Sequence, residues 1–188
     1  MKSSFAIAFL FITVLHMNAQ NKQLPYYKIP EASKEYTAGT TAARSVDGLG
    51  FRYYWATEGL TEKDLEFQPS KEARTTSETI DHILGLSQVI LNAVLNKPNG
   101  QSQPEMTFSE KRKKTLENLK KASDILRESN DLSQYKMIFG TIEFPFWNVV
   151  NGPISDATWH VGQVVSFRRS SGNPLPKGVN VLTGEKRQ

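Results

Sequence analysis

The chain has 188 residues, 23 lysines and arginines against 19 aspartates and glutamates, and no cysteine. Its net charge of +4 is interleaved with acidic neighbours, which argues against nucleic acid or an anionic membrane as a partner. Without cysteine there is neither a disulfide nor a lipoprotein anchor, so stability has to come from packing one core of ordinary domain size.

The N-terminus reads as an address. Lys2 precedes an apolar and small-residue run from Phe5 to Leu15, and Ala19 offers a cleavage point before Gln20. That pattern predicts a secretory signal peptide over 1–19, too short to span a bilayer, and a secreted or periplasmic mature protein. Residues 20–33 are polar, contain Pro25 and Pro30, and read as an extended lead-in. A helical domain is expected over 34–175, followed by an irregular tail over 176–188.

The first predicted helix covers roughly 34–58. Ala42, Val46, Leu49, Tyr53 and Ala56 share one face at helical spacing, and Gly59 suits the position after its end. Gly39, Gly48 and Gly50 weaken it locally and point to close approach by a neighbour. The second helix starts at a capping box, Thr75 with Glu78, and runs to about Leu95. Its apolar residues cover more than half of the circumference, so it should sit deep. A second capping box, Thr107 with Glu110, opens the third helix, which ends near Ser129. Its narrow apolar stripe makes it the outermost helix, and the basic run Lys111 to Lys114 reads as a solvated face.

An aromatic stretch follows between Asn130 and Asn151, with no convincing strand alternation. After the Gly152-Pro153 break, the fourth helix extends to about Ser171 and is closed by Gly172. Arg168 and Arg169 in its last turn suit the helix dipole. The predicted fold class is therefore all-α, a four-helix bundle.

Apart from His16 in the signal, the chain has two histidines, both on predicted helices. Asp156 and His160 are an i,i+4 pair whose side chains can converge, and they share a face with Trp159, Gln163 and Phe167. His82 lies in the apolar arc of the second helix, where an imidazole needs partners. Two readings stay open. In one, His82, Asp156 and His160 bind a divalent metal, since two histidines and a carboxylate suit zinc or iron(II). In the other, an Asp–His pair anchors a buried polar core.

Three strings carry a resemblance. Gly59-Leu60-Thr61-Glu62-Lys63-Asp64-Leu65, continuing to His82, resembles the passage between the first two helices of the DinB-like superfamily. His160-Val161-Gly162-Gln163 resembles its fourth-helix His-x-Gly-Gln motif, and Arg168 to Pro174 is similar to its closing segment. The resemblance implies a four-helix bundle with a metal held between the second and fourth helices by His82, Asp156 and His160. The family commonly has histidine where this chain has Asp156, and a carboxylate there is harder and less selective for zinc. Zinc, nickel, iron and manganese are the candidate ions. Gln163 is expected to support the ligands rather than bind, and Gly162 to allow close helix packing.

By the same resemblance, the metal would activate water or a thiol for hydrolysis or transfer on a small molecule. Trp159, Trp147 or Tyr54 would cap the site. The alternative function is a non-catalytic bundle that binds metal or a small molecule, or serves structurally. The expected partner is a small-molecule substrate or ligand, with a homodimer as the expected assembly to test.

Overall fold

The computed structural model describes residues 23–102 and 104–187. The signal-peptide expectation and the first residues of the lead-in lie outside these. The described chain is predominantly helical, an all-α protein with a small amount of strand. Among the described residues, no helix is long and apolar enough to cross a membrane.

The first long helix, α1, spans Ala38–Thr57 and begins at a capping box, Thr37 with Thr40. It starts four residues later than the apolar pattern suggested, because the cap rather than the pattern sets the first turn. Val46, Leu49, Tyr53 and Ala56 are buried as expected. A single-turn helix, α2 (Glu62–Glu66), bridges to α3 (Thr76–Val94). Helix α4 covers Phe108–Arg127. Both expected capping boxes are formed: Thr75 with Glu78 opens α3, and Thr107 with Glu110 opens α4.

Strands were not expected, yet three short ones form a sheet against α3. β1 (Pro98–Asn99) runs parallel to β2 (Lys136–Phe139), and β2 pairs antiparallel with β3 (Ile142–Pro145). The hairpin closes between Phe139 and Ile142 through Gly140 and Thr141, with Gly140 at φ 58°. A two-residue loop containing glycine, flanked by β-branched and aromatic residues, is a hairpin signal, and it was legible in Phe139-Gly140-Thr141-Ile142. The tail, expected to be irregular, contains a further short pair, β4 (Val179–Asn180) with β5 (Glu185–Lys186).

The Gly152-Pro153 break is a kink inside a continuous run. Helix α5 (Phe146–Val149) passes into a π turn (Val150–Ile154) and then α6 (Ser155–Ser171). Pro153 has no N–H to give and its ring crowds the preceding turn, so the ladder widens there. Gly152 takes the distortion, at φ −86° and ψ −105°. The Ser155 hydroxyl then donates to the Val150 carbonyl at 2.7 Å, which satisfies a group the kink would otherwise leave open. The kink fixes the direction in which α6 departs, and with it the first turn that carries Asp156.

α1 packs along α4 and α6, and α3 packs along the same two helices. α4 is thus not peripheral. It buries Leu116, Leu119, Ala122 and Leu126 between α1 and α3, and its polar appearance comes from the other face. The basic run is not wholly solvated either. Arg112 is largely covered: it pairs with Glu58 at 2.5 Å, donates to the Thr57 hydroxyl and lies over the Tyr54 ring. Lys111 pairs with Asp81 on α3 at 2.6 Å.

Candidate metal centre

His82 lies in the second turn of α3, and Asp156 and His160 lie one turn apart at the start of α6. The packing of α3 on α6 brings together side chains 74 residues apart in sequence. His82 Nε2 lies 3.1 Å from Asp156 Oδ2, and His160 Nε2 lies 3.3 Å from Asp156 Oδ1. The two imidazoles meet edge to face with centroids 4.5 Å apart. One ligand atom from each of the three residues falls within 4.8 Å of the other two. All three residues named from the sequence therefore converge on one point.

The site is open on one side. His82 and Asp156 side chains are 32% and 33% exposed, whereas His160 is 12% exposed. His82 was expected inside an apolar arc. It sits instead at the rim of that arc, partly exposed next to the buried Ile83 and one turn before the partly buried Leu86.

Gln163 explains which nitrogen of His160 faces the carboxylate. His160 Nδ1 lies 2.8 Å from Gln163 Oε1, an N–H donating to an amide oxygen. With that proton on Nδ1, the neutral ring presents an unshared pair at Nε2 toward an Asp156 oxygen. Two acceptors facing each other at 3.3 Å repel unless a cation joins them. Either a second proton on the ring or a metal ion meets that demand. The donor chemistry fits a metal, because ligand atoms around a tetrahedral ion with bonds of about 2.0–2.1 Å stand about 3.3 Å apart.

Trp159 stacks on His160, with planes inclined by 15° and centroids 5.9 Å apart. It is the one of the three expected capping aromatics that the structure brings to the site. Tyr54 packs instead against Tyr27, Trp55 and Arg112. Trp147 is 77% exposed on α5, and no described ring contact joins it to the histidines. Gly162 was expected to permit close packing, but nothing lies within 4 Å of where its Cβ would be. It is exposed on the far side of α6.

The other two strings singled out in the sequence meet away from this centre. Asp64 on α2 accepts hydrogen bonds from the Ser171 hydroxyl, from Asn173 Nδ2 at 2.8 Å and from the Thr61 backbone N–H at 2.8 Å. Burial alone would push the Asp64 carboxyl up, but these bonds together hold it well below the usual carboxylate range. Arg168, in the last turn of α6 as expected, serves both its own helix end and α1: its Nε donates to the Asn173 carbonyl at 2.7 Å, just beyond α6. It is buried, and its guanidinium donates to the Trp55, Ala56 and Glu58 carbonyls at the C-terminus of α1. Burial lowers its pKa, partly offset by the Asp64 and Glu58 charges. This knot ties the ends of α1 and α6 together.

No family model, no curated protein and no solved structure matches the chain, so the site's own geometry carries the functional argument.

Proposed function

We propose that this protein is an exported, DinB-like four-helix bundle that binds a divalent metal through His82, Asp156 and His160. Zinc, nickel, iron(II) and manganese are the candidate ions, with zinc less favoured than at a three-histidine site because a carboxylate is the harder ligand. The observation that carries the reading is the convergence of two imidazoles and a carboxylate from two helices within 4.8 Å, on a third-exposed rim. The proton placement imposed by Gln163 supports it, since it leaves His160 Nε2 as a donor of electrons rather than of a proton.

The three side chains would hold the ion and leave part of its coordination sphere open. Bound there, a divalent ion supplies Lewis acidity toward a water, a thiol or a carbonyl. Gln163 keeps His160 in its binding tautomer. Trp159 lies nearly parallel beside that ring, with centroids 5.9 Å apart. This arrangement suits hydrolysis or group transfer on a small molecule.

The competing reading treats the cluster as a polar anchor, favoured by the direct His82–Asp156 contact of 3.1 Å. Metal content separates the two. Mass spectrometry of the untagged protein should find near-stoichiometric metal, lost in His82→Ala, Asp156→Ala and His160→Ala while the helical spectrum persists. A wild type that takes up no zinc, nickel, manganese or iron(II) would leave the anchor as the correct account.

A further inference from the structure

Beside Asp156 lies an open cleft of about 500 Å³, within the range of small-molecule sites, roughly 300–1,000 Å³. Its walls come from three parts of the chain: Leu86 and Val89 on α3, Met137 and Phe139 on β2, and the π turn with the start of α6, which bring Pro153 and Trp159 together with the polar Asn151 and Ser155. Asp156 is the single charged group among the described lining residues. Phe139 and Trp159 are 42% and 69% exposed, so a ligand in the cleft would cover aromatic surface that the fold leaves in water.

We propose that this cleft seats the uncharged apolar body, an aryl ring or a short acyl chain, of a small substrate whose polar head reaches the metal. The inference rests on the metal reading above and names the substrate class for that same centre. Asp156 belongs to both the metal cluster and the cleft wall, so a molecule lying in the cleft has its end at the ligands. Apart from Asn151 and Ser155 the rest of the wall has no polar side chain but the Trp159 indole, and it carries no positive charge. An anionic body would lie against Leu86, Val89 and Met137 with no lysine or arginine lining the cleft to receive its charge. A hydrophilic anionic body is therefore a poor occupant of the cleft.

The hairpin acquires a purpose in this reading. Phe139 sits at the last position of β2, next to the Gly140-Thr141 turn, and its register opposite Ile142 sets its place along the cleft. Leu86 stands one turn beyond His82 on α3, which aligns the apolar wall with the metal ligand on the same helix.

Calorimetric titration of the zinc-loaded protein tests this with three hydroxamates, after zinc content is measured. Acetohydroxamate carries the metal-binding head alone, benzohydroxamate adds an apolar ring, and 4-carboxybenzohydroxamate adds a charge to that ring. Benzohydroxamate should bind at least about tenfold more tightly than acetohydroxamate, from the added apolar area, and the carboxylated ring should lose most of that gain. Phe139→Ala and Leu86→Ala should shrink the gain while zinc content and acetohydroxamate binding stay unchanged. Bound zinc with equal affinities for acetohydroxamate and benzohydroxamate, or a gain that survives both variants, overturns the cleft assignment and leaves the metal centre standing. A protein that takes up no zinc or other divalent ion overturns both.

Discussion

His160 is gripped by its own helix before anything else touches it. Gln163, three residues on, receives its Nδ1 proton, and Trp159, one residue back, lies against its ring. The i,i+3 spacing makes the first contact possible with no tertiary help. A ligand held this way loses little further freedom on binding an ion. Gln163→Ala should accordingly weaken metal affinity by about 10–100-fold with little change in unfolding midpoint. Gln163→Glu, which keeps an acceptor in place, should recover most of the affinity. Competition with a chromophoric chelator reads both. Equal affinities for the wild type and Gln163→Ala would mean that the amide has no part in ordering the site.

At the scale of elements, two glycines in helices have opposite meanings. In α1, a Cβ on Gly39 would come within 2.0 Å of the Ser129 carbonyl oxygen and 2.4 Å of that of Leu126, so the end of α4 rests on the bare backbone. In α6, Gly162 has nothing within 4 Å. Gly39→Ala should destabilise by about 2 kcal/mol or more, because carbonyls of the neighbouring helix end have to move. Gly162→Ala should stabilise by about 0.5–1 kcal/mol, the ordinary helix preference of alanine. Urea unfolding of the two variants should move the midpoint in opposite directions; a loss of stability on Gly162→Ala would point to a contact on that face. The sequence showed both glycines in helical segments but not which had a neighbour, since that depends on where α4 ends in space.

Across the whole molecule, the Asp64 knot joins parts of the chain more than 100 residues apart. Its carboxyl is depressed by the hydrogen bonds it accepts, so its charged form is favoured in the folded state and not in the unfolded one. Because the folded pKa lies below the unfolded one, the stabilisation is fully present above about pH 5. It is lost as pH falls through the unfolded value near about 3.9 toward the folded one. Wild-type stability should thus fall steeply below about pH 5, and Asp64→Asn should be less stable at pH 7 with a flatter acid limb. Unfolding free energies measured from pH 7 down to pH 3 check this. Parallel acid limbs in the two proteins would show that Asp64 does not govern the acid response.

The long helices and their starts were written locally, because caps, glycine stops and the 3.6-residue period act within a turn or two of the residue that carries them. For the same reason His82, Asp156 and His160 stood out: two histidines on helical faces, one with a carboxylate a turn away, form a pattern visible without any fold. What the sequence could not determine lay across chain separations. The hairpin that brings Phe139 to the cleft, the turning of Arg168 onto the carbonyls of α1, and the placement of Tyr54 away from the His82–Asp156–His160 cluster all depend on which helix faces which. The tertiary packing of α3 on α6 decided that the three candidate ligands share one point, and with β2 that a cleft opens beside them, because a contact between distant residues is a property of the packed whole.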